Sequence, residues 1–502
     1  MFLTISIILL CTLGYLLLNA HIYNVRRQYR HIKSPTIPRN LTWFLGCLPD
    51  FRKRLAKSPN ASGCLIFMQY HKEYKWDLFV LPLFTENAIF CLELNILSKV
   101  VADWRTFPKD QKFHRTMSSV NGVRIFGEYG IVSDPGTEIW KAKRKTMEPG
   151  FHKSFMRSVM PDMNTVLNNL TGCLSTKAGG GVFDVCSNLN RAAFEAMSIC
   201  VLNMDSDLVE MHGDKILEAL PRIFESMSLS VRDPTYKFPW KYVKEKKALN
   251  DTVPAIRDVV KNILQDRMKS NPIGSPDLLS YLIKSNQCSD QLTIDDLVDD
   301  YLTFLIAGIE ATAITLAVTL FYLANNNEIL SKVRNEIDCV IKRGQMVRFD
   351  DVNKLEYLEM VIKECMRVKP PMHLVRRCCG KANVVVNGLK IPKGAALIIP
   401  IFALHHDPRY WEQPEVFDPE RFSAGFDKNI KKLSYLPFAA GGRSCIGKNF
   451  AMLELKSIIS RIVQEFDIVN PYPEVTDLKM SGMITIGPRE GVELELHPRP
   501  VS

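Results

Sequence analysis

The chain has 502 residues, 46% hydrophobic and 24% charged, with a formal net charge of +10. This is ordinary globular composition with ample apolar surface for a large core, which excludes a chain that is mostly low-complexity. The thirteen cysteines are odd in number and scattered, with no CxxC pair, so they argue against a disulfide framework and against zinc or thioredoxin-like chemistry, and for a reduced compartment.

In chain order, Phe2 to Leu18 is almost wholly apolar and is followed by Arg26, Arg27, Arg30, Lys33 and Arg39. Those five bases against Asp50 place +4 of the net charge in the first fifty residues. The apolar run is close to the roughly 20 residues that span a bilayer. Flanking basic residues stay cytosolic, so the bulk of the chain is expected on the cytosolic side. A cleaved signal peptide is the alternative; it lacks a basic stretch before the run and a small-residue cleavage site. The expected organisation is an anchor over 1–20, a basic, proline-containing linker over 21–50 with Pro35, Pro38 and Pro49, and a folded remainder over 51–502. Length alone suggests about three domains, yet no composition shift divides the chain after residue 50.

Strand signals are few. Leu78–Leu83 and Ala88–Leu92 flank Thr85-Glu86-Asn87 as a hairpin, and Val384–Val386 is followed by the turn Asn387-Gly388 and Leu389–Ile391. Lys393-Gly394 leads into the apolar run Ala395–Ile399. Most of the rest reads as helix, so the class is mostly α with minor β. A long helix is expected from Ile294 to Ala324, opened by Thr293 with Asp296 at the capping-box position. From Tyr301 to Ala324 its only charge is Glu310, so it reads either as a second membrane span or, preferably, as a buried core helix. Leu355, Leu358, Val361, Ile362 and Cys365 recur at helical spacing.

The strongest chemical signal is Phe438-Ala439-Ala440-Gly441-Gly442-Arg443-Ser444-Cys445-Ile446-Gly447, with a helix predicted over 448–459. A cysteine on a glycine-rich loop opening a helix faces backbone N–H groups and the positive end of the dipole, and both favour thiolate. Glycines let the backbone approach a flat ligand, and Arg443 offers a cation to an acidic group on it.

This stretch resembles the haem-binding signature of the cytochromes P450, Phe-x-x-Gly-x-Arg-x-Cys-x-Gly, at Phe438, Gly441, Arg443, Cys445 and Gly447. The resemblance runs along the chain. Glu364 and Arg367 fit the family's Glu-x-x-Arg helix, and Arg421, within Phe417-Asp418-Pro419-Glu420-Arg421-Phe422, would complete a buried network with them. Trp140 and Arg144 fit Trp-x-x-x-Arg, where i and i+4 share a face and can reach a haem propionate. Arg377 sits where the family often places another propionate-binding arginine, with Arg376 as its rival. Each of these motifs alone is also compatible with ordinary core or surface helix.

On the central helix the family pattern has threonine where this chain has Ala311; Ala307, Gly308 and Glu310 fit, and Thr312 follows one residue late. Thr312 is therefore turned about 100° away unless a bulge at Gly308 re-aims it. The resemblance implies a cytochrome P450 fold with one N-terminal transmembrane helix and one haem-binding catalytic domain over 51–502. Its implied cofactor is haem (iron protoporphyrin IX) with Cys445 as the metal ligand, and its implied catalytic residues are Glu310 and Thr312. It implies monooxygenation of a lipophilic substrate with O2, electrons from the FAD/FMN enzyme NADPH–cytochrome P450 reductase, and the endoplasmic reticulum membrane with the catalytic domain cytosolic; no nucleic acid is involved. Pocket candidates by family position are Phe126, Leu302, Leu305, Ile306, Ala307, Ala311, Met372, His373, Leu374, Val375, Ile484 and Ile486. The wording of the chain is most similar to the cholesterol 24-hydroxylase and fatty-acid ω-hydroxylase branches. Lys141, Lys143, Lys145 and Lys448 offer a basic face to an acidic electron donor. Two other readings stand beside this one: a haem-thiolate isomerase or dehydratase acting on a peroxide, which Ala311 favours, and a non-catalytic haem-binding protein.

Overall fold

The computed structural model of the chain describes residues 2–34, 47–57, 63–83, 86–127, 129–204, 206–270, 277–287, 292–424, 433–482 and 484–500. The elements used below are, in chain order, α1 (Phe2–Arg27), β1 (Leu78–Leu83), β2 (Glu86–Cys91), α2 (Leu94–Ala102), α3 (Glu138–Met147), α4 (Cys186–Glu195), α5 (Ser206–Arg232), α6 (Val243–Ser270), α7 (Ile294–Ala324), α8 (Glu356–Val368), β3 (Val375–Cys378), β4 (Val384–Val386), β5 (Leu389–Ile391), β6 (Ala396–Ile399), α9 (Lys448–Glu465), β7 (Met480–Ser481) and β8 (Gly487–Pro488). The chain forms two compact units, neither a continuous stretch: a smaller one of 1–110, 374–404 and 440–443, and a larger one of 111–373, 405–439 and 444–502. That interleaving explains why no composition shift marks a boundary.

The smaller unit holds a four-stranded sheet in the order β1-β2-β6-β3, antiparallel except for the parallel β2–β6 pair. The first hairpin pairs Leu83 with Glu86, so its second strand begins at Glu86, two residues earlier than the sequence suggests; Thr85 lies outside the described residues. Asn387 and Gly388 both have positive φ, 47° and 80°, and join the antiparallel pair β4–β5 as the Asn-Gly turn requires. α1 runs to Arg27, since nothing in Ala20–Arg27 breaks a helix. At about 39 Å it is long enough for a bilayer, and Leu13, Tyr15, Leu16 and Leu17 stand exposed on it.

The larger unit is helical around α7. Thr293 caps α7, and Thr293 and Asp296 form the reciprocal box. The helix is packed on α4, α6, α8, α9 and the helix Leu278–Asn286, which makes it the core of this unit rather than a second span. Its apolar all-round surface is what such a position requires. α8 begins one residue after Leu355 and turns Leu358, Val361, Ile362 and Cys365 inward. Strand Glu493–Pro498 pairs with Phe466–Val469 and with Phe183–Asp184.

Candidate active site

Cys445 stands on the loop just before α9, its thiol side chain exposed. Its N–H donates to the carbonyl of Phe438 at 2.9 Å, which closes the loop on itself. Gly447 is the residue before α9, so the sulfur lies at the helix's positive end. A side chain at Gly447 would lie 4.0 Å from the Cys445 sulfur and 3.9 Å from Phe151, which would narrow access to the thiol. α3, capped by Thr137, turns Trp140 inward at 3% exposure and stacks Arg144 over it at 6.0 Å. Arg144 Nη1 donates to the carbonyl of Ser444 at 2.9 Å. Burial lowers the pKa of Arg144, and the nearby Glu148 and then Cys445 partly oppose this.

In the smaller unit, Gly441 has φ +73°, and a Cβ there would lie 2.0 Å from the carbonyl oxygen of Val101 in α2. Only glycine fits. Arg443 is 7% exposed. The two rival arginines separate clearly. Arg376 pairs with Asp110 at 2.8 Å, whereas Arg377 is 2% exposed, donates to the carbonyl of Arg376 and has no carboxylate partner among the described residues. Burial pushes Arg377 down to about 10. A buried cation without an anion is a site built for an acidic ligand group.

Glu364 and Arg367 are fully buried and joined twice, at 2.7 and 2.8 Å. Arg367 also donates to the carbonyls of His405, Pro414 and Val416, so all five of its N–H donors are used. Glu364 accepts from the Asp418 N–H at 2.9 Å and stands 3.6 Å from Arg421. The three residues expected to form a network do so, and they fasten the segment 405–421 onto α8.

α7 is α-helical throughout, with no bulge at Gly308, so Thr312 is not re-aimed and stays 5% exposed. The bulge lies elsewhere: a π-turn over Ala196–Val201 places Met197 against Gly308, where a Cβ would lie 2.3 Å from the Met197 sulfur. Within the buried run of α7, side chains reach open space only around Ala307, Gly308, Glu310, Ala311 and Ile314. Burial pushes Glu310 up to about 7, against a hydrogen bond from Thr485 Oγ1 to Glu310 Oε2 at 2.5 Å. Glu310 and Thr485 also line a cavity of about 740 Å³ between α4, α5, α7 and the β7–β8 hairpin.

Some sequence expectations are corrected. Lys143 is not on a basic face: it is fully buried and pairs with Asp300 at 2.5 Å, because its side chain points from α3 to the start of α7. Lys141, Lys145 and Lys448 are exposed. Leu302, Leu305 and Ile306 do not line the large cavity. With Ile216, Leu220, Val253 and Ile256 of α5 and α6 they line a separate interior gap of about 10 Å³. Ile486 (4% exposed) and His373 (0%) are likewise interior. Phe126, Met372 and Ile484 in the larger unit, and Leu374 and Val375 in the smaller, retain exposure. Sequence reasoning missed Thr485 and Asp300; the four aspartates at 295, 296, 299 and 300 were the available hint, since Asp296 and Asp299 bind Arg124 and Asp299 also binds Arg257.

The family model described as Cytochrome P450 matches residues 35–491. Cytochrome P450 3A13 of Mus musculus is 30% identical over 407 residues, covering 76% of this chain and 79% of that protein. Cytochrome P450 3A31 of Mesocricetus auratus is 28% identical over 520 residues, covering 99% and 96%. The solved cytochrome P450DA heme domain superposes with a TM-score of 0.77 at 23% identity, covering 93% of this chain and 98% of that one, a likeness of fold.

Proposed function

The chain belongs to the cytochrome P450 family, and from that premise we propose that it hydroxylates a lipophilic substrate, sterol-like or fatty-acid-like, with O2 and NADPH-derived electrons. Family members of this kind are monooxygenases that hold a thiolate-ligated haem and take electrons from a redox partner. Bound haem supplies the dioxygen chemistry, with the thiolate favouring O–O cleavage.

The residues fit that cofactor. Cys445 is the sulfur ligand, exposed at a helix N-terminus. By family position, Trp140, Arg144, Arg377 and Arg443 are each candidates to bind its carboxylates. Phe438, Gly441 and Gly447 shape the ligand loop. Glu310 holds and passes a proton: a carboxyl titrating at about 7 is matched to that work. The exposed bases Lys141, Lys145 and Lys448 meet an acidic donor, NADPH–cytochrome P450 reductase. The long, exposed, apolar α1 anchors the chain in the endoplasmic reticulum membrane with the catalytic domain cytosolic.

The observation that carries the substrate class is apolar. α7 opens at Ala307 and Ala311, with Glu310 its only charge from Tyr301 onward. The test is a spectral titration over sterols and fatty acids, followed by product analysis with reductase and NADPH. NADPH-dependent oxygen uptake with a hydroxylated lipid supports the reading. Turnover of a hydroperoxide without NADPH overturns it in favour of an isomerase or dehydratase.

A further inference from the structure

The family's acid–alcohol pair is broken in this chain by Ala311, and the straight helix leaves Thr312 where an ideal helix puts it. Yet Glu310 does have a hydroxyl partner. Thr485 Oγ1 donates to Glu310 Oε2 at 2.5 Å from the turn between β7 and β8, 175 residues further along.

That turn is held in place from three directions. Gly482 has φ +136°, and a Cβ there would lie 1.9 Å from the Thr485 carbonyl oxygen, so only glycine lets the turn close on Thr485. The Ile486 N–H donates to the carbonyl of Pro371 at 2.8 Å. Gly487 lies against Ile314 of α7, where an added Cβ would meet the side chain at 3.2 Å. Thr485 is thus fixed over α7 beside Glu310.

Behind the pair lies the cavity of about 740 Å³, room for many waters at about 30 Å³ each. Arg191 of α4 and Asp214, Glu218 and Glu225 of α5 line it together with apolar residues such as Leu217, Phe224 and Ile314, so its walls carry charged groups for water to bind among apolar ones. These are the charged groups facing Glu310 across the cavity; α7 and the hairpin add none.

We propose that Thr485 is the positioning alcohol for Glu310, supplying from the hairpin the hydroxyl that α7 lacks at residue 311, and that cavity water resupplies the proton. The step balances simply: the Glu310 carboxyl gives one proton toward the Ala307–Ala311 face, and the carboxylate takes one back from cavity water. Thr485 donates its hydrogen bond to the carboxylate and holds it between the two. The inference rests on the reading of Glu310 as the proton-delivering acid.

The first measurement needs no turnover. In the resting holoenzyme, the carboxyl infrared band lost in Glu310→Gln is titrated with pH. Removing a hydrogen bond to the charged form raises an acid's pKa, so Thr485→Val moves the midpoint up by about one pH unit, while Thr485→Ser leaves it in place. The second is product formed per NADPH consumed: several-fold lower in Thr485→Val, restored in Thr485→Ser, and lowered also in Glu310→Gln. Unchanged midpoint and coupling in Thr485→Val, with Glu310→Gln uncoupled, overturns the role of Thr485 and leaves Glu310 standing. Uncoupling by Thr312→Val in place of Thr485→Val overturns it in favour of the helix threonine. Full coupling in Glu310→Gln overturns the relay reading itself.

Discussion

Replacing Lys143 by methionine tests whether the α3–α7 contact is ionic and buried. Lys143 Nζ lies 2.5 Å from Asp300 Oδ2 and 3.0 Å from the Tyr129 carbonyl, and the Ile131 N–H donates to Asp300 Oδ1 at 2.8 Å. Neither ionic side chain has any exposed surface. Burial already pushes Asp300 from 3.8 up to about 6 despite the lysine, which corresponds to about 3 kcal/mol against its charged form. Because that pKa is raised, Asp300 favours the folded state below pH 4, and the advantage is lost as pH rises to 6. Methionine keeps the length and removes the counter-charge, so the carboxylate at pH 8 is left alone in the interior at a cost of roughly 3–5 kcal/mol. At pH 5 the carboxyl protonates, and the cost falls to on the order of 1 kcal/mol, about one hydrogen bond. Urea midpoints at the two pH values read this directly. The double variant Lys143→Met/Asp300→Leu recovers most of the loss at pH 8. Equal losses at pH 5 and pH 8, or a double variant no better than the single, would refute the reasoning.

Arg367→Leu strands Glu364 without its counter-ion and costs roughly 3–5 kcal/mol, so the protein accumulates mostly without haem; a normal haem-to-protein ratio would contradict the network's role. Arg377→Met speeds haem loss to a haem acceptor by roughly tenfold, equivalent to about 1.4 kcal/mol, whereas Arg376→Met, which removes the partner of Asp110, leaves that rate near the parent's. Deleting residues 1–20 weakens sedimentation with membranes and leaves haem content intact. The sequons at Asn40, Asn60, Asn169 and Asn250 stay unmodified in the full chain, and endoglycosidase-sensitive mass would overturn the cytosolic topology.

What the sequence made legible was local or carried by a long motif. Thr293 and Asp296 announce the start of α7 because a capping box is completed within four residues. Asn387-Gly388 announces its hairpin because both positions need positive φ. The spacing Glu364 to Arg367 places both side chains on one face, and the structure joins them. Partners far apart in sequence were not legible. Periodicity says which way Lys143 faces relative to α3, but only the packed chain brings Asp300 to it. The hydroxyl for Glu310 was sought on its own helix, at Thr312, while the fold supplies Thr485 from a hairpin. Leu302, Leu305 and Ile306 have the composition of a pocket wall and of a helix interface alike, and sequence alone could not show that the gap they line is bounded by α5 and α6. The π-turn at Ala196–Val201 left no sequence signal beyond the glycine it packs against.

The central claim is that Cys445 gives its thiolate to haem iron. The reduced carbonyl complex of the full-length protein, compared with that of Cys445→Ser purified alongside it, tests this directly. The account predicts the red-shifted Soret band of a thiolate-ligated haem in the parent and its loss in the serine variant; retention of that band in Cys445→Ser would contradict it.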